Sequence, residues 1–287
     1  QELEKSIILN NKGAVSIGCY FSGDTSRSGS MLGFFNGKIE SPKLFNRGLR
    51  IEEMIGLSSI SFPNKHDRCL VASWDFSKDI GKSLISDLSS NQLHGHAINM
   101  PTRGVTGRNW TGKETDFRRA PDEYAAIHFH DDDLDDAGWP VSFEYKAPSE
   151  MKSGVYAAKL TAGEETDYLT FFVKPGSRGP TARIAFLAPT LTYTAYANKQ
   201  LNIDRSNPIY SDLPLDFEYP SQKEDKFIVE NGLIGTYDRH IDGSGVCYSS
   251  RLRPMLNFRP SYNFPPLAKG RGSPHLLSAD LHLLDWM

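Results

Sequence analysis

The sequence is short of the features that mark disulfide-stapled, zinc-bound, membrane-spanning or nucleic-acid-binding chains. It has only three cysteines, Cys19, Cys69 and Cys247, and they are far apart. An odd, sparse set builds no disulfide framework and shows no zinc-ligand spacing; it predicts reduced thiols and a cytoplasmic setting. Apolar runs last only a few residues, so no segment predicts a bilayer-spanning helix. Neither sign of charge dominates: 32 Lys and Arg against 35 Asp and Glu leave a net charge of -3. That balance gives no electrostatic case for nucleic acid or an anionic membrane as partner. The chain opens on Gln1 with no basic or apolar leader. At DLHLLDWM the spacing of Leu281, Leu284 and Trp286 predicts a helical face with no stop signal after it. Both ends predict an internal piece of a longer polypeptide.

What is present is ordinary globular composition over 287 residues, 39% hydrophobic and 11% aromatic, enough for two or three domains. The pattern predicts a mainly β chain that turns into α/β. Residues 1–62 read as strands, with SIIL and VSIGCYF as short β-rich runs. Asn36-Gly37 carries a hairpin signal, Glu40 to Phe45 an edge strand, and Arg50 to Met54 a short closing helix. This run resembles the last strands of a laminin-G or concanavalin-like jelly roll, a resemblance of fold that says little about ligand. A link near Ser61 to Arg68, with Pro63 and Asn64, precedes a second segment, 68–178, that reads as a β-sandwich. Its clearest strands are Ser153 to Leu160, with Tyr156, Ala158 and Leu160 on one face, and Asp167 to Pro175. In the third segment, 181–287, an apolar strand from Ala182 to Phe186 leads into a long irregular stretch between Asn198 and Glu230. A Pro/Gly-rich link and a final helix follow, as at the beginning of an α/β domain.

Two stretches concentrate chemistry. In IHFHDDDLDDAGW, His128 and His130 alternate and would share one face, with Asp131, Asp132, Asp133, Asp135 and Asp136 directly after. A divalent-cation site is one reading. A polar strand exit whose carboxylates cap turns is the other, and the missing glycine spacing of a calcium loop favours it. The richer stretch runs from FLAPTLTYTAYAN to TYDRHIDGSGVCYSS. Tyr193, Tyr196 and Asn198 are expected on the loop after the apolar strand. Tyr237, Asp238, His240, Asp242 and Tyr248 crowd around Gly243 and Gly245. Phenol, imidazole and carboxylate groups gathered after a strand predict a hard-metal site or an acid/base centre.

At TYTAYAN, DGSGVCYSSRLRP, NMPTRGVTGRNW and IHFHDDDLDDAGW the chain resembles the N,N-dimethylformamidase large-subunit family, over essentially its whole length. The resemblance implies an amidohydrolase that splits N,N-dimethylformamide, or a related small amide, into dimethylamine and formate. It implies a mononuclear Fe(III) held by two tyrosinates and a glutamate with a histidine near, in a hetero-oligomer of large and small subunits. Carried onto this sequence, the first tyrosine is Tyr196 with Tyr193 as rival, and the second Tyr237 with Tyr248 as rival. The glutamate and its histidine belong to a His-x-Glu motif expected beyond Met287, so the piece alone is expected to be inactive. His240 or Asp238 would protonate the leaving amine, which a tertiary amide requires because it has no N–H of its own.

Plainer readings stand beside these. A tyrosine near a strand is ordinarily a packed aromatic whose hydroxyl finds a backbone partner. Gly243-Ser244-Gly245 is too short for a phosphate loop. Cys247 reads as a buried, inert thiol ahead of a nucleophile paired with His240. Arg251 and Arg253 suit internal or subunit salt bridges better than product binding, and Arg259 extends that cluster. The alternative from another class is a non-catalytic carbohydrate-binding or assembly β-sandwich module.

Overall fold

The computed structural model describes residues 15–22, 30–58, 68–177, 179–180, 182–200, 218–259, 262 and 276–287. SIIL, most of the link near Ser61 and the Pro/Gly-rich link before the final helix lie outside the described residues. The chain forms two compact units, Gln1–Asp133 and Leu134–Met287.

The first unit is a set of short antiparallel strands. β1 (Tyr20–Ser22) pairs with β2 (Ser30–Leu32). A three-stranded sheet sets β3 (Gly37–Glu40) beside β9 (Ala126–Phe129), with β8 (Thr102–Val105) on the other side of β9. A four-stranded sheet runs β4 (Lys43–Phe45), β5 (Leu70–Asp75), β6 (Leu84–Asp87), β7 (Gly95–His96). Phe76, Ile85 and Ile127 form the core, with Ile39, Trp74, Ala97 and Phe129 packed on it. Because β3 pairs with β9 and β4 with β5, residues on either side of the link near Ser61 belong to one compact unit.

Two buried polar residues organise this unit. The Arg103 guanidinium donates to five carbonyl oxygens, those of Phe76, Lys78, Asp79, Lys82 and Leu84, and so closes the β5–β6 loop around one side chain. The Asp87 carboxylate accepts from the backbone N–H groups of Ser73, Ser89 and Leu93 and from the Ser89 hydroxyl. Buried loop backbone needs such partners, since an unpaired carbonyl or N–H away from water costs about as much as a lost hydrogen bond.

The Asn36-Gly37 signal does not make a hairpin. β3 pairs with β9, and the Asn36 Oδ1 instead accepts from the Asp131 N–H at 3.0 Å. Gly37 has φ 147°, far from the value a tight primed turn requires, and a Cβ there would come within 2.8 Å of the Phe35 ring. The expected edge strand is β4, at the end of its sheet. The closing helix, α1, runs Ile51–Ser58, longer than expected, with Glu53 accepting the Arg50 N–H at its first turn.

In the second unit β10 (Gly154–Ala162) and β11 (Glu165–Val173) form an antiparallel hairpin over Gly163-Glu164, with Gly163 at φ 61°. Tyr156, Ala158 and Leu160 take the covered face, as their alternation predicts. Tyr156 stacks on its cross-strand partner Phe171. The rest is short helices: α2 (Thr190–Ala195), α3 (Lys223–Glu230), a 3-10 turn at Leu256–Phe258 and α4 (Leu277–Trp286).

The expected strand from Ala182 to Phe186 is absent; these residues bend and run irregularly into α2. No described strand pairs with them, and Ile184 is 64% exposed. A short apolar run becomes a strand only where a sheet offers a partner. Tyr193 and Tyr196 therefore sit on and at the end of a helix, not on a loop after a strand. Among the described residues every strand pair is antiparallel, so the protein is β-rich with few helices.

Candidate functional site

The site is built where the end of α2 meets the turn at 233–238, both in the second unit. Just after α2, Asn198 adopts φ 58°, a left-handed conformation that asparagine tolerates better than most residues. Asn198 is fully buried, and its N–H and both side-chain amide atoms are engaged. Its N–H donates to Asn257 Oδ1 (3.0 Å), its Nδ2 to the Pro254 carbonyl (2.6 Å), and its Oδ1 accepts from Leu256 N–H (3.0 Å). Asn257 Nδ2 in turn donates to the Tyr196 carbonyl at 2.7 Å. The backbone of Tyr196 is thereby fixed by its own turn and by the 254–257 segment.

The second tyrosine is held as tightly from the other side. Thr236 donates its N–H (3.2 Å) and its hydroxyl (2.8 Å) to the Ala195 carbonyl. Gly235 passes so close to α2 that a Cβ would stand 2.6 Å from the Ala197 carbonyl oxygen, so only glycine fits. Asp238 accepts the N–H groups of Gly235 (2.7 Å) and Gln200 (3.0 and 3.1 Å), stapling the two segments across the tyrosines. Arg253, buried, donates to the Ile234 carbonyl and the Ser249 hydroxyl, and Ser249 donates to the Thr194 carbonyl.

These anchors bring Tyr196 and Tyr237 face to face, with ring centroids 4.0 Å apart and planes 23° from parallel. The Tyr196 phenol is pushed above its ordinary pKa, first by a side-chain hydrogen bond with Tyr237 and then by burial. Tyr237 is 54% exposed, so the pair opens outward within its unit. The Nζ of Lys199 lies 5.9 Å from the first ring centroid and 5.5 Å from the second.

The rival tyrosines are placed otherwise. Tyr193 is buried between Phe172 and Phe258, and its hydroxyl donates to the Asp280 carboxylate of α4. Burial and that carboxylate raise its pKa well above the usual phenol range. It packs the helix down. Tyr248 is 39% exposed and stands outside the stack.

Asp238 is raised above the usual carboxylate range by desolvation, against the pull of its two N–H donors, Lys199 and Arg253. With both oxygens receiving backbone N–H groups, its geometry is that of a staple. His240 is buried, and its backbone closes a turn, N–H to the Ser244 carbonyl and carbonyl to the Gly243 N–H. Asp242 caps that turn by accepting from Ser244 N–H and Oγ.

Cys247, expected to be buried, is exposed; its thiol donates to the Gly245 carbonyl within an irregular segment that leaves the side chain outside. Arg251 and Arg253 lie in an irregular turn, where Arg251 is exposed and Arg253 braces backbone with no ion pair among the described residues, while Arg259 pairs with Asp167 and Glu224. His128 and His130 do share a face, their rings 4.1 Å apart, and Asp133 accepts the His130 N–H as a turn cap.

Two neighbouring phenols that already share a hydrogen bond are a hard-oxygen donor set of the kind a trivalent cation takes in exchange for protons. The tyrosine pair therefore fits such an ion. Lys199, Gly235 and Asn257 were not legible as site residues, since a lone lysine, glycine or asparagine in irregular chain carries no pattern. The family description "N,N-dimethylformamidase beta subunit-like, C-terminal" matches residues 102–287. The chain is similar to the N,N-dimethylformamidase beta subunit of Paracoccus aminophilus, 40% identical over 264 residues. It is similar to that of Alcaligenes sp too, 39% identical over 260 residues. Each alignment covers 88% of this chain and 33% of the relative, so the chain spans about a third of the length of these relatives.

Proposed function

The chain belongs to the N,N-dimethylformamidase beta subunit-like family, and from that membership we propose that it is part of an iron-dependent amidohydrolase. Its substrate is N,N-dimethylformamide or a related small amide, and its products are dimethylamine and formate. Tyr196 and Tyr237 are the two tyrosinate ligands of a mononuclear Fe(III), and a glutamate outside this stretch of sequence completes the set. The observation that carries this reading is the stacked pair itself, two phenols 4.0 Å apart at the ring centroids on segments pinned from both sides.

When bound, the iron supplies Lewis acidity toward an unactivated amide carbonyl. The chain's own residues do the positioning. Asn198 and Asn257 fix the Tyr196 backbone, and Thr236, Gly235 and Asp238 fix that of Tyr237, so the two oxygens converge without further ordering. Preorganised donors of this kind cost little reorganisation at the moment of reaction. His240, three residues beyond Tyr237, is the acid proposed to hand a proton to the departing amine, ahead of Asp238, whose oxygens are taken by backbone N–H groups. A small subunit is the proposed partner in a hetero-oligomer; the words "beta subunit" in the relatives' names support assembly with other subunits.

Iron content tests the ligand assignment. Tyr196→Phe and Tyr237→Phe should each lose most of the iron from the subunit that carries this sequence, while Tyr193→Phe and Tyr248→Phe should keep it. Retention of full iron by both of the first two variants would remove Tyr196 and Tyr237 from the ligand set. Unchanged turnover in His240→Ala would remove His240 from the acid role.

A further inference from the structure

One cation lies against both rings of the tyrosine pair. The Lys199 Nζ lies 5.9 Å from the Tyr196 centroid and 5.5 Å from that of Tyr237, nearly equidistant from the two rings and so beside the stack. The placement is built into the backbone. The Lys199 N–H donates to the Tyr196 carbonyl at 3.3 Å, the residue before it is the buried Asn198 hub, and the residue after it donates to Asp238. Gly235 packs against the same backbone, since a Cβ there would lie 3.3 Å from the Lys199 backbone nitrogen. Among the described residues no carboxylate forms an ion pair with Lys199; Asp238 feels its charge, but the oxygens of that carboxylate are occupied by backbone N–H groups.

We propose that Lys199 is a positioning residue for the metal centre, its fixed positive charge holding down the electron-donating power of both tyrosine oxygens. The proposal rests on the two-tyrosinate reading above. Its physical basis is simple. Two anionic rings stacked at 4.0 Å repel one another, and an ammonium nearly equidistant from both is attracted to each. A phenolate close to such a charge gives up electron density less readily, so the ion it binds stays a stronger acid toward a carbonyl. Partners of this kind, one step removed from the ligating atoms, commonly tune a metal as much as the ligands do.

The test is spectroscopic and electrochemical, on the iron-loaded subunit. Lys199→Met and Lys199→Gln remove the charge and keep most of the stem. Both should move the tyrosinate-to-iron charge-transfer band to longer wavelength and make the iron harder to reduce. Lys199→Arg keeps the charge and should leave both readings close to those of the parent. A band and a reduction potential unmoved in both neutral variants would overturn the proposal. So would an arginine variant that shifts as far as the methionine one, because that pattern marks packing and not charge. A parent without iron or colour would sink the metal reading and this inference with it, whereas a coloured parent with unmoved variants sinks this inference alone.

Discussion

At the scale of single residues, Asn198 does the most with the least exposure. It supplies a left-handed turn just after α2 and three hydrogen bonds to the 254–257 segment. Asn198→Ala keeps the backbone donor but strands the Leu256 N–H and the Pro254 carbonyl, and alanine resists a positive φ. We expect a loss of ~2–4 kcal/mol in chemical denaturation, from two lost buried partners plus the backbone cost. Gly235→Ala should be as damaging for another reason: its methyl would meet the Ala197 carbonyl at 2.6 Å, and one of the two tyrosine segments would have to move. Its signature is loss of iron together with a lowered melting temperature. Tyr193→Phe is the control, because it keeps the ring between Phe172 and Phe258 and gives up only the bond to Asp280. It should cost ~1 kcal/mol and leave iron untouched. The tyrosines themselves were legible as a cluster, and the family motifs picked out Tyr196 and Tyr237. That Tyr193 faces a packed interior depends on helix phase, which the six residues of α2 are too few to announce.

At the scale of elements, the second unit is tied by an ion triad. Arg259, beside the 3-10 turn, pairs with Asp167 on β11 and reaches Glu224 on α3 at 3.6 Å. Asp167 and Arg259 are 26% and 25% exposed, so solvent screens the pair only in part. The Arg259 guanidinium, which hydrogen-bonds the Asp167 carboxyl, holds that carboxyl below the ordinary aspartate value of 3.8. A carboxyl depressed by folding contributes stability that is present above its unfolded pKa and is lost as pH falls through the folded one. The stability advantage of the parent over Asp167→Asn should therefore be full near neutral pH and shrink below about pH 4. Melting temperatures of the two proteins across that range check it; a constant gap would contradict it. The β10–β11 hairpin was legible because period-two alternation and a glycine turn agree with one another. The Asn36-Gly37 hairpin and the Ala182 to Phe186 strand were misread for one shared reason. A local signal names a strand or turn, but pairing is decided by distant chain, here Ala126 to Phe129 in the first case and no described partner in the second.

At the scale of the whole molecule, the described chain is β-rich, its two units each carry their own structure, and the tyrosine pair belongs entirely to the second. No described helix is long and apolar enough to cross a membrane. The family match runs across that second unit and back into the first, from 102 to 287. The central claim is that Tyr196 and Tyr237 hold iron, and it is tested most directly by iron content and visible absorbance of the subunit that carries this sequence, beside Tyr196→Phe and Tyr237→Phe. The account predicts near-stoichiometric iron, a charge-transfer band in the parent, and loss of that band in both variants. A parent with no iron and no colour, or a band that survives both substitutions, would contradict it.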